Sequence, residues 1–415
     1  MKLDIRYGRD ATQKIDVGDC DLIGVIGPNE VSVGDARKEI EGALNEPLGI
    51  EMIEDFLAGG EDVVFIVNDG TRPTPTAAVL NALASRCDLS RCRFLIATGT
   101  HRAPTEEEYR FIFGDILDDI RDRIHCHDSL SDEMVDLGSS KNGTPMQINR
   151  IAVDADRLII ITSVEPHYFA GYTGGRKSFL PGVASYVTIE ANHRLAMDSA
   201  AQALVLEGNP VHEDMMDALK AVEGKRIFSV QTVLDRDHRI YRVAAGDLHQ
   251  AFRQAVVWAD EVFSVNIPEK ADIVISVAPY PMDVDLYQSQ KALDNGKWAL
   301  KEGGILIMVS KCREGVGHAT FLNQLSCSND PRSVLESLEG EYRLGYHKAA
   351  KMAEIASWAK IYAVTDLDPE MIRKAHMVPF DNVDSALKEA LKTRPGAKVL
   401  VLTDGSMTVP KVVNG

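Results

Sequence analysis

The 415-residue sequence contains no apolar run long enough to span a bilayer, and its first residues, Met1-Lys2-Leu3-Asp4-Ile5-Arg6-Tyr7-Gly8, lack the apolar core of a signal peptide. The expectation is a cytoplasmic protein with no membrane partner. Basic charge is in deficit: 45 Lys and Arg stand against 62 Asp and Glu, a net −17. That balance argues against nucleic acid and anionic membrane surfaces as partners, though not against a small anion held in a local basic pocket. Cysteine is sparse. The six cysteines, at 20, 87, 92, 126, 312 and 327, form no Cys-x-x-Cys pair, and several lie in apolar strand-like runs, which points to buried free thiols and away from a disulfide framework. No short-period repeat, no low-complexity tract and no clear Gly-x-Gly-x-x-Gly after the first strand are found, the last arguing against an ordinary nicotinamide-dependent dehydrogenase. Asn142-Gly143-Thr144 has the form of a glycosylation acceptor but reads better as a hairpin turn.

What is present is ordinary globular composition, 45% hydrophobic and 26% charged, in a chain long enough for two cores. Short apolar runs alternate with polar loops and amphipathic stretches. Strands are expected at 62–67, 92–97, 158–162, 273–278, 304–310, 360–364 and 398–403, with helices at 76–85, 186–198 and 289–300. Thr105 with Glu108 makes a capping box for a further helix. The pattern predicts an α/β fold of two domains, 1–266 and 267–415, with mostly parallel sheets covered by helices and a junction at 266–270.

In open α/β sheets ligands bind beyond the carboxyl ends of the strands. Four polar clusters fall there: Asp69/Arg72, His101, His167/Lys177 and Tyr287/Gln288/Lys291. Lys177 lies in a glycine-rich run, His167 to Gly182, whose backbone can approach a ligand closely. The adjacent Arg176 favours the neutral, nucleophilic amine, although a solvated surface turn also carries such pairs. His101 and His167, from two strand ends, suit a reaction needing a base and an acid on opposite faces of one substrate. Asp69 suits ribose hydroxyls and Arg72 a carboxylate or phosphate, the bland reading being an ion pair within the loop. Gln288 and Lys291 share a helix face beside Tyr287. His193 has no second histidine at i+4, so any metal there needs ligands from elsewhere. His125-Cys126-His127-Asp128 places two imidazoles on one side of a strand terminus.

The segments 68–73, 98–104, 166–182, 192–194 and 287–291 together resemble the nickel-pincer lactate racemase family, in the same order and over most of the chain. The resemblance implies a racemase or C2-epimerase of a 2-hydroxy acid. Its cofactor is a pyridinium mononucleotide carrying thioamide and thiocarboxylate arms that grip nickel. It implies covalent attachment at Lys177, a nickel ligand at His193, acid/base roles for His101 and His167, and Asp69, Arg72 and Tyr287 near the cofactor. Arg72, Gln288 and Lys291 would bind substrate, with the site in an interdomain cleft. The implied reaction is proton-coupled hydride transfer through a 2-keto acid, with cofactor-maturation enzymes as partners. A non-catalytic nickel or nucleotide carrier, and a nicotinamide-dependent 2-hydroxy acid dehydrogenase, are the competing readings.

Overall fold

Two six-stranded sheets organise the chain, and each belongs to its own compact unit. The structure, a computed structural model, describes residues 1–18, 20–338, 340 and 342–413. One unit is formed by residues 30–262. The other combines 1–29 with 263–415.

In the 30–262 unit the strands run, across the sheet, Ile240–Asp247, Arg226–Leu234, Arg157–Ser163, Val63–Asn68, Arg93–Ala97 and Ile124–Cys126. All pairings are parallel except the hairpin at the Ile240–Asp247 edge. The central strands are apolar on both faces, as Val63–Asn68 and Arg157–Ser163 show, because helices cover both sides. Phe65, Phe94, Ile159 and Phe228 point into one layer with the helices Ala36–Asn45, Thr76–Ala84 and Glu106–Phe113. The last of these starts with the expected capping box at Thr105 and Glu108. The Asn142-Gly143 segment joins the antiparallel strands Met134–Ser139 and Pro145–Asn149, with Gly143 at φ +80°.

The other sheet is wholly parallel, in the order Met377–Phe380, Lys360–Val364, Leu300–Val309, Ala271–Val277, Lys398–Leu402 and Asp21–Ile26. Successive residues of these strands feed two cores. Val274, Leu306 and Leu400 enter one, and Ile273, Ile305 and Val399 the other. Two expectations change here. The first 29 residues leave the N-terminal domain, because Asp21–Ile26 pairs with Lys398–Leu402 and the hairpin Lys2–Tyr7/Ala11–Asp16 inserts Ile5 and Ile15 beside the helix Val383–Thr393. Pairing between residues so far apart in the chain leaves no local pattern to read. The helix expected at 289–300 is Leu286–Gly296 instead. Asp285 caps it by accepting the Gln288 amide at 2.6 Å, and Leu300 already belongs to the next strand.

If the hairpin is core to this unit, Ile15→Ala should lower its stability by about 2–5 kcal/mol, read as a lower urea midpoint. An unchanged midpoint would make the hairpin an appendage.

Candidate active site

Three parallel strands of the 30–262 unit end side by side, and their loops carry the polar clusters. After Val63–Asn68, Asp69 is buried, with 4% of its surface exposed. Its Oδ1 accepts from the Thr71 hydroxyl at 2.7 Å and the Thr71 amide at 3.2 Å, and its Oδ2 meets His101 Nδ1 at 2.7 Å. Burial pushes the Asp69 carboxyl up, but the His101 bond and the charges of His101 and Arg72 outweigh it and hold it below the usual carboxylate range. The bond puts the His101 proton on Nδ1 and leaves Nε2 as the acceptor on a half-exposed ring. Asp69, expected at the nucleotide, thus acts first as the partner that orients His101. Arg72 does not close an ion pair within its loop: its Nη1 lies 3.8 Å from Glu165, on the loop after Arg157–Ser163. Asn68, Thr74 and Ser163 join these same two loops by hydroxyl and amide bonds of 2.8 and 2.9 Å.

The Lys177 segment folds back on itself. Pro166–His167 pairs with Gly171–Tyr172, and Gly175–Ser178 forms a 3-10 turn. Gly174 has φ +83°, and a Cβ there would lie 2.5 Å from Val164 and 2.9 Å from Gln231, so only glycine fits. The Lys177 carbonyl accepts from Gly182 at 3.0 Å, and the Gly182 carbonyl accepts from Gly99 at 2.9 Å, which ties the lysine loop to the His101 loop. Phe169 is the hub. Its ring centre lies 4.5 Å from that of His167, 5.1 Å from that of His193 and 5.7 Å from Lys177 Nζ. His193 reaches it from the helix Tyr186–Arg194, which ends four residues before the expected 198 and continues as a 3-10 turn. The Ala170 amide donates to His167 Nδ1 at 3.3 Å, so a neutral His167 carries its proton on Nε2. The two acid/base candidates therefore present opposite Nε2 states, a lone pair on His101 and a proton on His167. Tyr172 turns away and donates to Asp260 at 2.6 Å.

Two further clusters were legible only in part. His125 and His127 do share a side, both meeting Asp132 at 2.8 and 3.3 Å, but His127 is 2% exposed and donates to the Ala184 carbonyl at 3.0 Å. They brace the loops; among the described residues no group of three or more His, Cys, Asp or Glu could hold a metal ion. In the other unit, half-buried Tyr287, Gln288 and Lys291 all stand on the helix Leu286–Gly296, Tyr287 having been expected in the loop before it. Lys348, which the sequence reading missed, donates to the Tyr287 carbonyl at 2.5 Å with its Nζ 3.8 Å from the ring centre. Burial and Asp285 push the Tyr287 phenol up to about 12.

Arg176 overturns the reading of a solvated Lys-Arg pair. It is 1% exposed, stacked 4.5 Å from the Phe252 ring centre. Burial draws its pKa down to about 9, which still leaves it charged at neutral pH. Its Nε donates to His212 Nδ1 at 2.9 Å, and burial, helped by Arg176 itself, lowers the His212 imidazole from 6.5 to about 3. An unfolded His212 takes up its proton near 6.5, so the unfolded chain binds more protons between those two values. Stability contributed by His212 is fully present above that window and is lost as the pH falls through it. The melting temperature of His212→Gln should accordingly fall less steeply than that of the wild type as the pH drops below 6.5; parallel curves would contradict the assignment.

Comparison with known proteins identifies the family. The model of the lactate racemase N-terminal domain matches residues 7–204, and that of the C-terminal domain matches 267–409. The lactate racemase of Thermoanaerobacterium thermosaccharolyticum is 34% identical over 380 residues, 88% of each chain. That of Lactiplantibacillus plantarum is 35% identical over 390 residues, 90% of this chain and 91% of its own. The solved lactate racemase apoprotein from T. thermosaccharolyticum superposes with a TM-score of 0.92, at 31% identity, over 99% of this chain and all of its own. A Thermotoga maritima protein, 16% identical with a TM-score of 0.67 over 92% of this chain and all of its own, shares the fold alone. The chain belongs to the lactate racemase family of isomerases.

Proposed function

We propose that this protein racemises a 2-hydroxy acid, or epimerises one at C2, using a nickel-pincer nucleotide attached to Lys177. The observation that carries this reading is the gathering of Lys177, His167 and His193 around the Phe169 ring, with His101 and its buried Asp69 tied to the same loop through Gly99 and Gly182. These residues fit the group. The lysine stands in a turn that only glycine permits, and His193 meets the same Phe169 ring, where its imidazole could serve as one ligand of the nickel. When bound, the pincer nucleotide supplies the hydride acceptor that a Cα–H beside a carboxylate needs, being too weakly acidic for plain deprotonation.

The chain's own residues do the rest. Nε2 of His101 takes the hydroxyl proton of one enantiomer, and the buried Asp69 carboxylate stabilises the imidazolium that forms. Nε2 of His167 gives a proton to the substrate oxygen as the other enantiomer forms. Arg72 would hold the substrate carboxylate by paired hydrogen bonds, and Gln288, Lys291 and Tyr287 keep the substrate- and cofactor-binding roles that the family resemblance gives them. The 2-keto acid is the transient oxidised form of the substrate. A carrier protein would need Lys177 and His193 but not a carboxylate-backed histidine. Lactate is the first substrate to try, since both curated relatives are lactate racemases; malate, aromatic hydroxy acids and sugar acids follow.

The test is peptide mass spectrometry and nickel analysis of protein co-expressed with the cofactor-making enzymes. A nucleotide adduct on Lys177 that is absent from Lys177→Ala supports the reading, and an unmodified peptide from a host that makes the cofactor sinks it. His101→Ala should load normally yet not turn over. Asp69→Asn, which disturbs the His101 tautomer, should lose about 10²-fold or more in kcat with loading intact. Normal racemisation by either variant would remove the acid/base assignment.

A further inference from the structure

Three segments of the 30–262 unit carry the cofactor side of the site: the aromatic turn with His167 and Phe169, the turn with Lys177, and the helix with His193. One short element touches the backbone or a neighbour of all three. Asn209, fully buried, caps the helix Pro210–Ala218 by accepting from the amides of Val211 and His212. With its amide nitrogen it donates to the Phe169 carbonyl at 2.9 Å and the Val205 carbonyl at 3.0 Å. His212 accepts from Arg176, whose remaining guanidinium nitrogens donate to the carbonyls of Ala170, Tyr172, Thr173 and Gly174 at 2.7–3.4 Å. Asp214, also fully buried, accepts from the amide nitrogen of Asn192 at 2.9 Å, and Asn192 precedes His193.

We propose that Asn209 and the helix Pro210–Ala218 form the positioning element of the cofactor site. Asn209 holds the Phe169 ring's backbone, His212 holds Lys177 through Arg176, and Asp214 holds His193 through Asn192. None of the three touches a reacting atom; each acts through the residue it binds. The helix lies beyond residues 7–204, which the N-terminal family model matches. Its arrangement explains a buried cation without a carboxylate partner. A buried guanidinium is costly unless its donors are satisfied, and here four carbonyls and one imidazole satisfy it while fixing the turn that presents Lys177. The proposal rests on the reading of Lys177 as attachment residue and His193 as nickel ligand, but its geometry is already present without either group.

The test therefore begins with the full-length apoprotein. Peptide mass spectrometry follows the acetylation rate of Lys177 by acetic anhydride and the modification rate of His193 by diethyl pyrocarbonate, with exposed Lys392 as internal standard. His212→Gln should change the Lys177 rate by about threefold or more and leave His193 alone, and Asp214→Asn should do the reverse. Should either variant fail to fold, Phe252→Leu replaces the first and Asn192→Ser the second. Rates that move together, or that do not move, overturn the proposal and leave the helix a merely structural element. In cofactor-loaded protein the same split should recur: Asp214→Asn retains the adduct but loses nickel affinity about tenfold, whereas His212→Gln lowers the adduct itself. A wild-type Lys177 peptide without adduct from the cofactor-making host overturns the reading of the site, whereas the apoprotein rates judge the helix independently.

Discussion

Parallel pairing is the constraint on which the site depends. Val63–Asn68, Arg93–Ala97 and Arg157–Ser163 run the same way, so each must end on the same edge of the sheet and hand its chain to a loop there. That single fact brings Asp69, His101 and the Lys177 segment together from positions about a hundred residues apart. Arg226–Leu234 extends the same edge, and its Gln231 accepts the Gly175 amide at 3.0 Å. The strands themselves contribute no chemistry. They are apolar on both faces and serve as a rigid base, which lets the loops be polar and closely cross-linked without loss of position.

The loops solve the burial of charge in two different ways. Asp69 is paired with a histidine and two donors from Thr71, so its buried charge is stabilised locally and its effect is confined to His101. Arg176 has no carboxylate among its bonded partners and relies on backbone carbonyls and a neutral imidazole. Carbonyl dipoles are weaker partners than a carboxylate, so more of them are needed, and collecting four from one turn fixes that turn's shape. The first arrangement sets a proton's place; the second sets a backbone's.

How much of this was legible follows from the range of each interaction. Strand and helix periodicity is local, and Lys360–Val364 and the Thr105 capping box appear where the pattern puts them. Placement of His101, His167 and Lys177 at strand ends was legible as well, because α/β topology follows from the alternation of elements. Asp69 as the partner of His101 was not, since that bond spans 32 positions and a carboxylate in a loop has many possible partners. Burial of Arg176 was not legible either, because burial of a charged side chain depends on what covers it, here Phe252, 76 residues away in sequence and visible only once folded. The same holds for Lys348 against Tyr287 and for Asp21–Ile26 against Lys398–Leu402. Local pattern fixes elements and edges; partners across the chain need the fold.

The other unit carries its own parallel sheet. Its strand order reverses between Ala271–Val277 and Lys398–Leu402, the place where an open α/β sheet ordinarily binds its ligand beyond the strand ends. The turn of the N-terminal hairpin stands beyond the ends of Lys360–Val364, Leu300–Val309 and Ala271–Val277. Tyr7 donates to Asp366, just past Lys360–Val364, at 2.5 Å. A Cβ on Gly8 would lie 2.9 Å from Lys311, just past Leu300–Val309. Arg9 stacks 5.4 Å from the ring centre of Tyr280, past Ala271–Val277. A glycine-rich phosphate turn after Ala271–Val277 would have to share that edge with the hairpin, whose Ile5 and Ile15 are anchored in the core beneath. Tyr287, Gln288 and Lys291 stand at the start of the helix Leu286–Gly296.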